Sequence, residues 1–304
     1  MFDNTHGTGW IRDYPDHRDF QLSSAAIRPL LEQVMGSSVD LVASKQWQDV
    51  QLPGYVSLKD DFSPIEDQGK LETCTAHVVT AIAEYLYRRA FNEQTACSRL
   101  FLYKTTKNLL KTRGNVGVFL RTTIGALKLF GVPPEEYWSY DINKVDEEPP
   151  AFCYAFAANY KALKYVRLDT PDVQADNLLQ AIKVQLAAGI PLAFGTVLFD
   201  GPILQARRPE TAGQIPHPHS TDKPKGGHAL VAVGYDDSMV IKNLKSNDIQ
   251  TQGAILVRNS WGTSWGKEGY GWLPYSYIKS GLSVDWWALL SQDWVDTGMF
   301  GLNS

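Results

Sequence analysis

Apolar positions change their period along this chain. Over residues 74–91, Val78, Val79, Ile82, Tyr85 and Leu86 recur at three- and four-residue spacing, which predicts a helix with one buried stripe. Thr73 precedes it as a candidate N-cap. A second helix is expected over 120–130, closed by Gly131-Val132-Pro133-Pro134. A third is expected from about 176 to 188, closed by Gly189-Ile190-Pro191. The texture then turns to apolar runs at 192–199, 228–235, 254–258 and 283–290, bounded by Gly, Asp and Asn, the pattern of strands. Residues 200–227 carry five prolines and read as a long loop. Helices first and strands later predict an α+β chain with two unlike halves. The sequence holds no internal repeat and no low-complexity tract.

The first fifty residues follow neither pattern. Gly9-Trp10-Ile11-Arg12-Asp13-Tyr14-Pro15-Asp16-His17-Arg18-Asp19-Phe20 is aromatic, charged and turn-rich. A short helical stretch is expected over 27–35, where Ile27, Leu30, Leu31 and Val34 recur, with a break at Gly36-Ser37-Ser38. A solvated tail has little reason to carry Trp10, Tyr14 and Phe20. Residues 1–51 therefore read as an arm laid on a body formed by 52–304.

Composition narrows the function. A chain of 304 residues, 44% hydrophobic, is long enough to bury a substantial core. Its 29 Lys+Arg against 33 Asp+Glu give a net charge of −4, which argues against a nucleic-acid partner. No apolar run approaches the roughly 18–20 residues that span a bilayer, so no membrane partner is expected. The start, Met1-Phe2-Asp3-Asn4-Thr5-His6-Gly7, lacks a basic n-region and an apolar h-region, and no secretory signal is expected. The compartment stays open. Cys74, Cys97 and Cys153 are too few and too scattered for a disulfide framework or a zinc site.

Free cysteines are among the most buried residue types, so a structural role is the starting point for each. Cys74 departs from it. It opens the strongest helix after the polar turn Gln68-Gly69-Lys70-Leu71-Glu72-Thr73. A helix N-terminus stabilises a thiolate, and its free amides can hold an oxyanion. A thiol nucleophile needs a base and the base an orienter. His77 lies on the same helix and points along it, and His217 and His219 flank Pro218 in a loop with no further ligands nearby. His228 follows Gly226-Gly227 and opens an apolar run, as suits a cleft. Asn259 ends the run 254–258 and can fix an imidazole through its amide.

Three blocks in chain order, Gln68-Gly69-x4-Cys74, Gly227-His228-Ala229 and Asn259-Ser260-Trp261-Gly262-Thr263-Ser264-Trp265-Gly266, resemble the active-site blocks of papain-like cysteine proteases, peptidase family C1. Leu52-Pro53-Gly54-Tyr55-Val56-Ser57-Leu58-Lys59 is similar to the start of a mature member, and Gly269-Tyr270-Gly271 to the family's Gly-Tyr pair. Ser98-Arg99-Leu100-Phe101-Leu102-Tyr103 and Glu136-Tyr137-Trp138-Ser139-Tyr140 resemble segments of its microbial members. The resemblance covers roughly 52–290. It implies an α+β, papain-like two-lobe fold, with a helical left lobe over about 60–155, a β-barrel-like right lobe over about 156–290, and the site in the cleft between them. It implies a thiol endopeptidase acting on polypeptides without cofactor or metal. In that scheme Cys74 attacks the carbonyl, His228 holds the thiolate and protonates the leaving amine, and Asn259 orients His228. The Gln68 side chain and the Cys74 N–H form the oxyanion hole, and Trp261 covers the His–Asn bond. The arm lies where the family carries an inhibitory propeptide, which makes it a candidate inhibitor in cis.

Several positions depart from the family. Glu72-Thr73 replace Gly-Ser before the cysteine. Glu72 stands where a small residue lines the S1 subsite, where it would favour a basic P1 side chain and raise the thiol pKa. Leu71 stands where a disulfide cysteine is expected. Of the Gly-Gly strip that pairs substrate backbone only Gly117 matches, leaving Val118 to pair through its main chain and Phe119 or Leu120 to line an apolar S2 pocket beside Gly227. Two alternatives remain at this level: a catalytically inactive peptide- or protein-binding relative, and an acyl transferase using the same triad, its cleft restricted by residues 200–227.

Overall fold

The computed structural model describes residues 6–17, 19–35, 50–158, 160–246 and 248–294. Helix α1 (Arg28–Met35) belongs to the N-terminal segment. The helical half comprises α2 (Cys74–Phe91), α3 (Arg99–Leu110), α4 (Leu120–Phe130) and α5 (Ala151–Ala157). Each 3.6-residue stripe finds a buried partner: Val78, Val79 and Ile82 of α2, Leu100 and Phe101 of α3, and Ile124 and Leu127 of α4 lie in one core. Thr73 takes the N-cap position of α2 without capping through its side chain. Its hydroxyl pairs instead with the Tyr140 hydroxyl at 2.6 Å.

The second half is built on an antiparallel sheet in the order β2 (Tyr160–Arg167), β7 (Ser283–Trp294), β3 (Leu192–Phe199), β4 (Pro224–Lys242), β5 (Gln250–Arg258), β6 (Tyr270–Pro274). The short β1 (Tyr55–Ser57) pairs with β4. Both faces of the sheet are covered. Along β4, Ala229, Val231 and Val233 join the helical core, while Leu230 and Ala232 join a second core under α6 (Ala175–Ala187). Trp287 and Leu289 of β7 face the helices, and Trp286, Ala288 and Leu290 the other side. A side-chain period of two with both faces dry leaves no polar alternation, which is why these strands read as unbroken apolar runs.

Two expectations need correction. Residues 200–227 are not one loop: α7 (Asp200–Ala206) opens them and β4 already begins at Pro224. Pro202 sits in the first turn of α7, where its missing N–H would have had no intrahelical partner. Strand β4 also runs past Tyr235 to Lys242. Its polar Asp236-Asp237-Ser238 is taken up by a register shift against β5 between Asp236 and Val240. Of the N-terminal segment, Leu22, Ile27 and Leu31 are buried in the second core, so part of it is structural. The expected break at Gly36-Ser37-Ser38 lies outside the described residues.

Candidate active site

The structure brings Cys74, His228, Asn259 and Gln68 together where α2 meets β4 and the turn after β5. Cys74 is the first residue of α2 and fully buried, and its Sγ accepts the Ala229 N–H at 3.4 Å. Burial pushes its pKa up to about 12; the N–H groups of Ala229 and Thr75 pull it down, and the charge of Glu72 adds to the rise. His228, on β4, bonds through Nε2 to Asn259 Oδ1 at 2.8 Å. Its Nδ1 has no hydrogen-bond partner among the described residues. Burial lowers its pKa to about 4, while Asn259 and the Thr8 backbone, which falls short of full hydrogen-bond geometry, favour the charged ring and the charge of His6 disfavours it. Burial of the covered site thus disfavours both the thiolate and the imidazolium.

Asn259 is fixed by its own N–H on the Gly269 carbonyl at 3.0 Å, and its Oδ1 also accepts the Ser260 N–H at 2.8 Å. Trp261 packs on His228 with centroids 4.6 Å apart. Gln68 is fully buried. Its Oε1 accepts the Ser260 hydroxyl at 2.6 Å, and its Nε2 donates to the Leu71 carbonyl at 2.7 Å. The Tyr140 hydroxyl donates to its carbonyl at 2.9 Å. Asn115 clamps the turn between them, accepting the Glu72 N–H at 2.6 Å and donating to the Lys70 carbonyl at 3.1 Å. Glu72 itself is half-buried, and burial raises its pKa.

The N-terminal segment runs through this site. His6 stacks on Trp261 at 5.5 Å and its Nε2 lies 3.2 Å from Asp67. The Gly7 N–H donates to the Gly69 carbonyl at 2.9 Å, and the Gly7 carbonyl accepts Gln68 Nε2 at 3.1 Å. The Val118 N–H donates to the Gly9 carbonyl at 2.7 Å, and the Ile11 N–H to the Val118 carbonyl at 3.1 Å, a parallel bridge. The Trp10 N–H reaches the Gly227 carbonyl at 3.3 Å. Gly117 lies under this bridge, where a Cβ would stand 3.0 Å from the Gly9 carbonyl. Phe119 is half-buried at the start of α4, and Leu120 is wholly inside the helical core. Further along, Arg121 donates to Asp13 at 2.6 Å and to the Tyr14 carbonyl at 2.6 Å, and also pairs with Asp19.

The pocket that receives Trp10 differs from the apolar S2 pocket expected. Gly195 and Gly227 flank the indole, and the Asp285 carboxylate accepts its Nε1–H at 2.9 Å. Asp285 had no signal beyond being a lone acid in an apolar run and Asn115 had none, while Ser260 and Tyr140 stood inside family-like segments without a role assigned to them. His217 and His219 take separate hydrogen bonds, to Ser276 and Thr221.

Comparison with known proteins gives the family and the fold. The sequence model of papain family cysteine proteases matches residues 54–282. An uncharacterized peptidase C1-like protein of Acanthamoeba polyphaga mimivirus is 30% identical over 289 residues, covering 92% of this chain and 86% of its own. Xylellain, a cysteine protease from Xylella fastidiosa, superposes with a TM-score of 0.71 at 26% identity, covering 96% of this chain and 97% of that one. The digestive procathepsin L 3 of Tenebrio molitor larval midgut shares the fold, with a TM-score of 0.57 at 18% identity over 78% of this chain and 70% of that one. The two-lobe α+β architecture is common to these structures.

Proposed function

This chain belongs to the papain family of cysteine proteases, and we propose that it is a latent endopeptidase whose N-terminal arm blocks its own cleft. Cys74 is the nucleophile: its thiolate adds to the peptide carbonyl, giving a tetrahedral oxyanion held by Gln68 Nε2 and the Cys74 N–H. His228 gives its proton to the leaving amine as the acyl-enzyme forms. It then takes a proton from the water that releases the acid. Asn259 holds the ring through Nε2, which leaves Nδ1 for the sulfur. Residues 1–51 act as the inhibitory unit and 52–304 as the catalytic unit, with Gly117, Val118 and Gly227 as the backbone strip for substrate and Phe119 at its edge. Glu72 lines the subsite next to the sulfur.

One observation carries the reading. The Gly7 carbonyl sits on the Gln68 amide, 3.1 Å from Nε2, the donor that a substrate oxyanion would need. Occupied in this way, the donor is unavailable, and the dry thiol stays protonated. The test uses the full chain with an epoxide or vinyl-sulfone probe and a peptide substrate. Wild type is expected to react slowly. Gly9→Ala, which displaces the arm, is expected to label at Cys74 and hydrolyse peptides, and Cys74→Ala to do neither. A Gly9→Ala chain that neither labels nor hydrolyses would refute the proposal.

A further inference from the structure

We infer that the pocket floored by Asp285 selects substrates whose side chain ends in a hydrogen-bond donor, tryptophan or arginine, over phenylalanine and leucine. This rests on the endopeptidase reading and names the substrate class of the same cleft. The arm itself shows what fits. Trp10 is buried, with its ring between Gly195 of β3 and Gly227 of β4. A Cβ on Gly195 would come within 1.9 Å of Cε2, and one on Gly227 within 2.7 Å of Cε3. The two glycines thus form a flat slot in the sheet that any side chain would close.

The floor of the slot is polar and fixed. Asp285 is completely buried and held at φ 62°, a left-handed conformation that aspartate tolerates better than most residues. Its N–H donates to Asp169 at 2.7 Å. Its Oδ1 accepts Trp287 Nε1 at 2.7 Å, with Arg167 Nη1 3.3 Å away. Oδ2 therefore points into the slot, where it meets Trp10 Nε1. When the arm leaves, that oxygen loses its donor. A phenylalanine or leucine in the slot would seal it from water without a partner, and a buried site built for a donor discriminates strongly against analogues lacking one. Two carboxylates, Asp169 and Asp285, face one guanidinium, Arg167, so the floor carries one excess negative charge. A guanidinium would be received as well as an indole.

The test measures binding in the full chain, apart from turnover. In Cys74→Ala/Gly9→Ala/Trp10→Ala the arm is displaced, the slot is empty and no peptide is consumed. Calorimetry with the blocked peptides acetyl-Gly-X-Gly-amide is expected to give at least tenfold tighter binding for X = Trp or Arg than for X = Phe or Leu, and the stronger of the first two identifies the preferred donor. Adding Asp285→Asn is expected to abolish that gap. Trp287 and Arg167 would draw the amide oxygen to their side and turn the NH2 into the slot, donor against donor. Asparagine also suits the left-handed backbone, so this variant keeps the fold. Equal binding of all four peptides, tighter binding of Phe or Leu, or no binding overturns the inference. A second measurement needs no peptide: Trp10→Phe keeps a smaller aromatic ring in the slot and removes the donor, and alkylation of Cys74 is expected to quicken at least tenfold. Unchanged protection also overturns it. Failure of the endopeptidase reading is seen separately, as absent hydrolysis by Gly9→Ala with Cys74 intact.

Discussion

Gln68 is fixed from three sides: its Oε1 takes the Ser260 hydroxyl, its Nε2 the Leu71 carbonyl, and its own carbonyl the Tyr140 hydroxyl. The resemblance assigns a role to Gln68 but none to Ser260, which holds the amide the right way round. In Ser260→Ala the buried Oε1 loses its donor, at about 1–3 kcal/mol, and the amide is free to turn. We expect kcat for a peptide to fall about tenfold in an arm-released background with KM nearly unchanged, less than the roughly 10²–10³ lost with an oxyanion donor itself. An altered KM with unchanged kcat would contradict this. The thiol gives a pH prediction at the same scale. Burial lifts Cys74 to about 12, so the covered sulfur is neutral at every ordinary pH and its thiolate fraction climbs with pH. Uncovered at a helix N-terminus beside His228, it should ionise within the range of about 3.5–7.5 known for activated thiols. Iodoacetamide should therefore alkylate wild-type Cys74 at a rate still rising between pH 7 and 10, and Gly9→Ala at a rate already level above about pH 8. Superimposable profiles would exclude a covered thiol.

At the scale of elements, the arm fits because two of its residues have no side chain. A Cβ on Gly7 would stand 2.3 Å from the Leu71 carbonyl oxygen, and one on Gly9 2.2 Å from that of Glu72. Gly9 also sits at φ 100°, which strains an alanine whatever the space. Neither contact can relax without moving the turn that Asn115 and Tyr140 hold. Gly7→Ala and Gly9→Ala are both expected to raise peptide hydrolysis by the full chain, Gly9→Ala more, and initial rates on a fluorogenic peptide would show it; a fall in both would mean that the arm helps rather than blocks. Much at this scale was legible in the sequence. Helix α4 and strand β3 begin and end where their apolar pattern does, because packing and local preference agree there. The blocks that carry the family resemblance were legible because each is contiguous. The pocket floor was not: Trp10 and Asp285 meet across 275 residues, and only the antiparallel pairing of β3 with β4 and β7 brings them together. The extension of β4 was hidden for a related reason, since Asp236-Asp237-Ser238 reads as a turn until β5 supplies the partner for a bulge.

Across the whole molecule the N-terminal segment divides into two parts with different work. Residues 6–11 cover the cleft, whereas Leu22, Ile27 and Leu31 fill the core beneath the sheet, the latter two with no exposed surface. Between them Arg121 gathers Asp13, Tyr14 and Asp19, and Arg167 donates to the Asp13 carbonyl at 3.0 Å. Arg167 also contacts Asp285 under the slot, so the hinge of the arm and the floor of the pocket share one cation. Removing residues 1–50 would therefore expose apolar surface as well as the cleft, and lost activity after such a cut would say nothing about inhibition. Substitutions separate the two parts. Ile27→Ala deletes a fully buried side chain and should cost about 2–5 kcal/mol of unfolding free energy, seen as a lower denaturant midpoint, while Cys74 stays protected from alkylation below the transition. Gly9→Ala should uncover Cys74 with a far smaller shift in the midpoint, because the arm's tip can leave while α1 and Leu22 stay docked. If Ile27→Ala uncovered Cys74 as fully as Gly9→Ala does, the segment would open as one unit, and the cleft could be freed only by loosening the core.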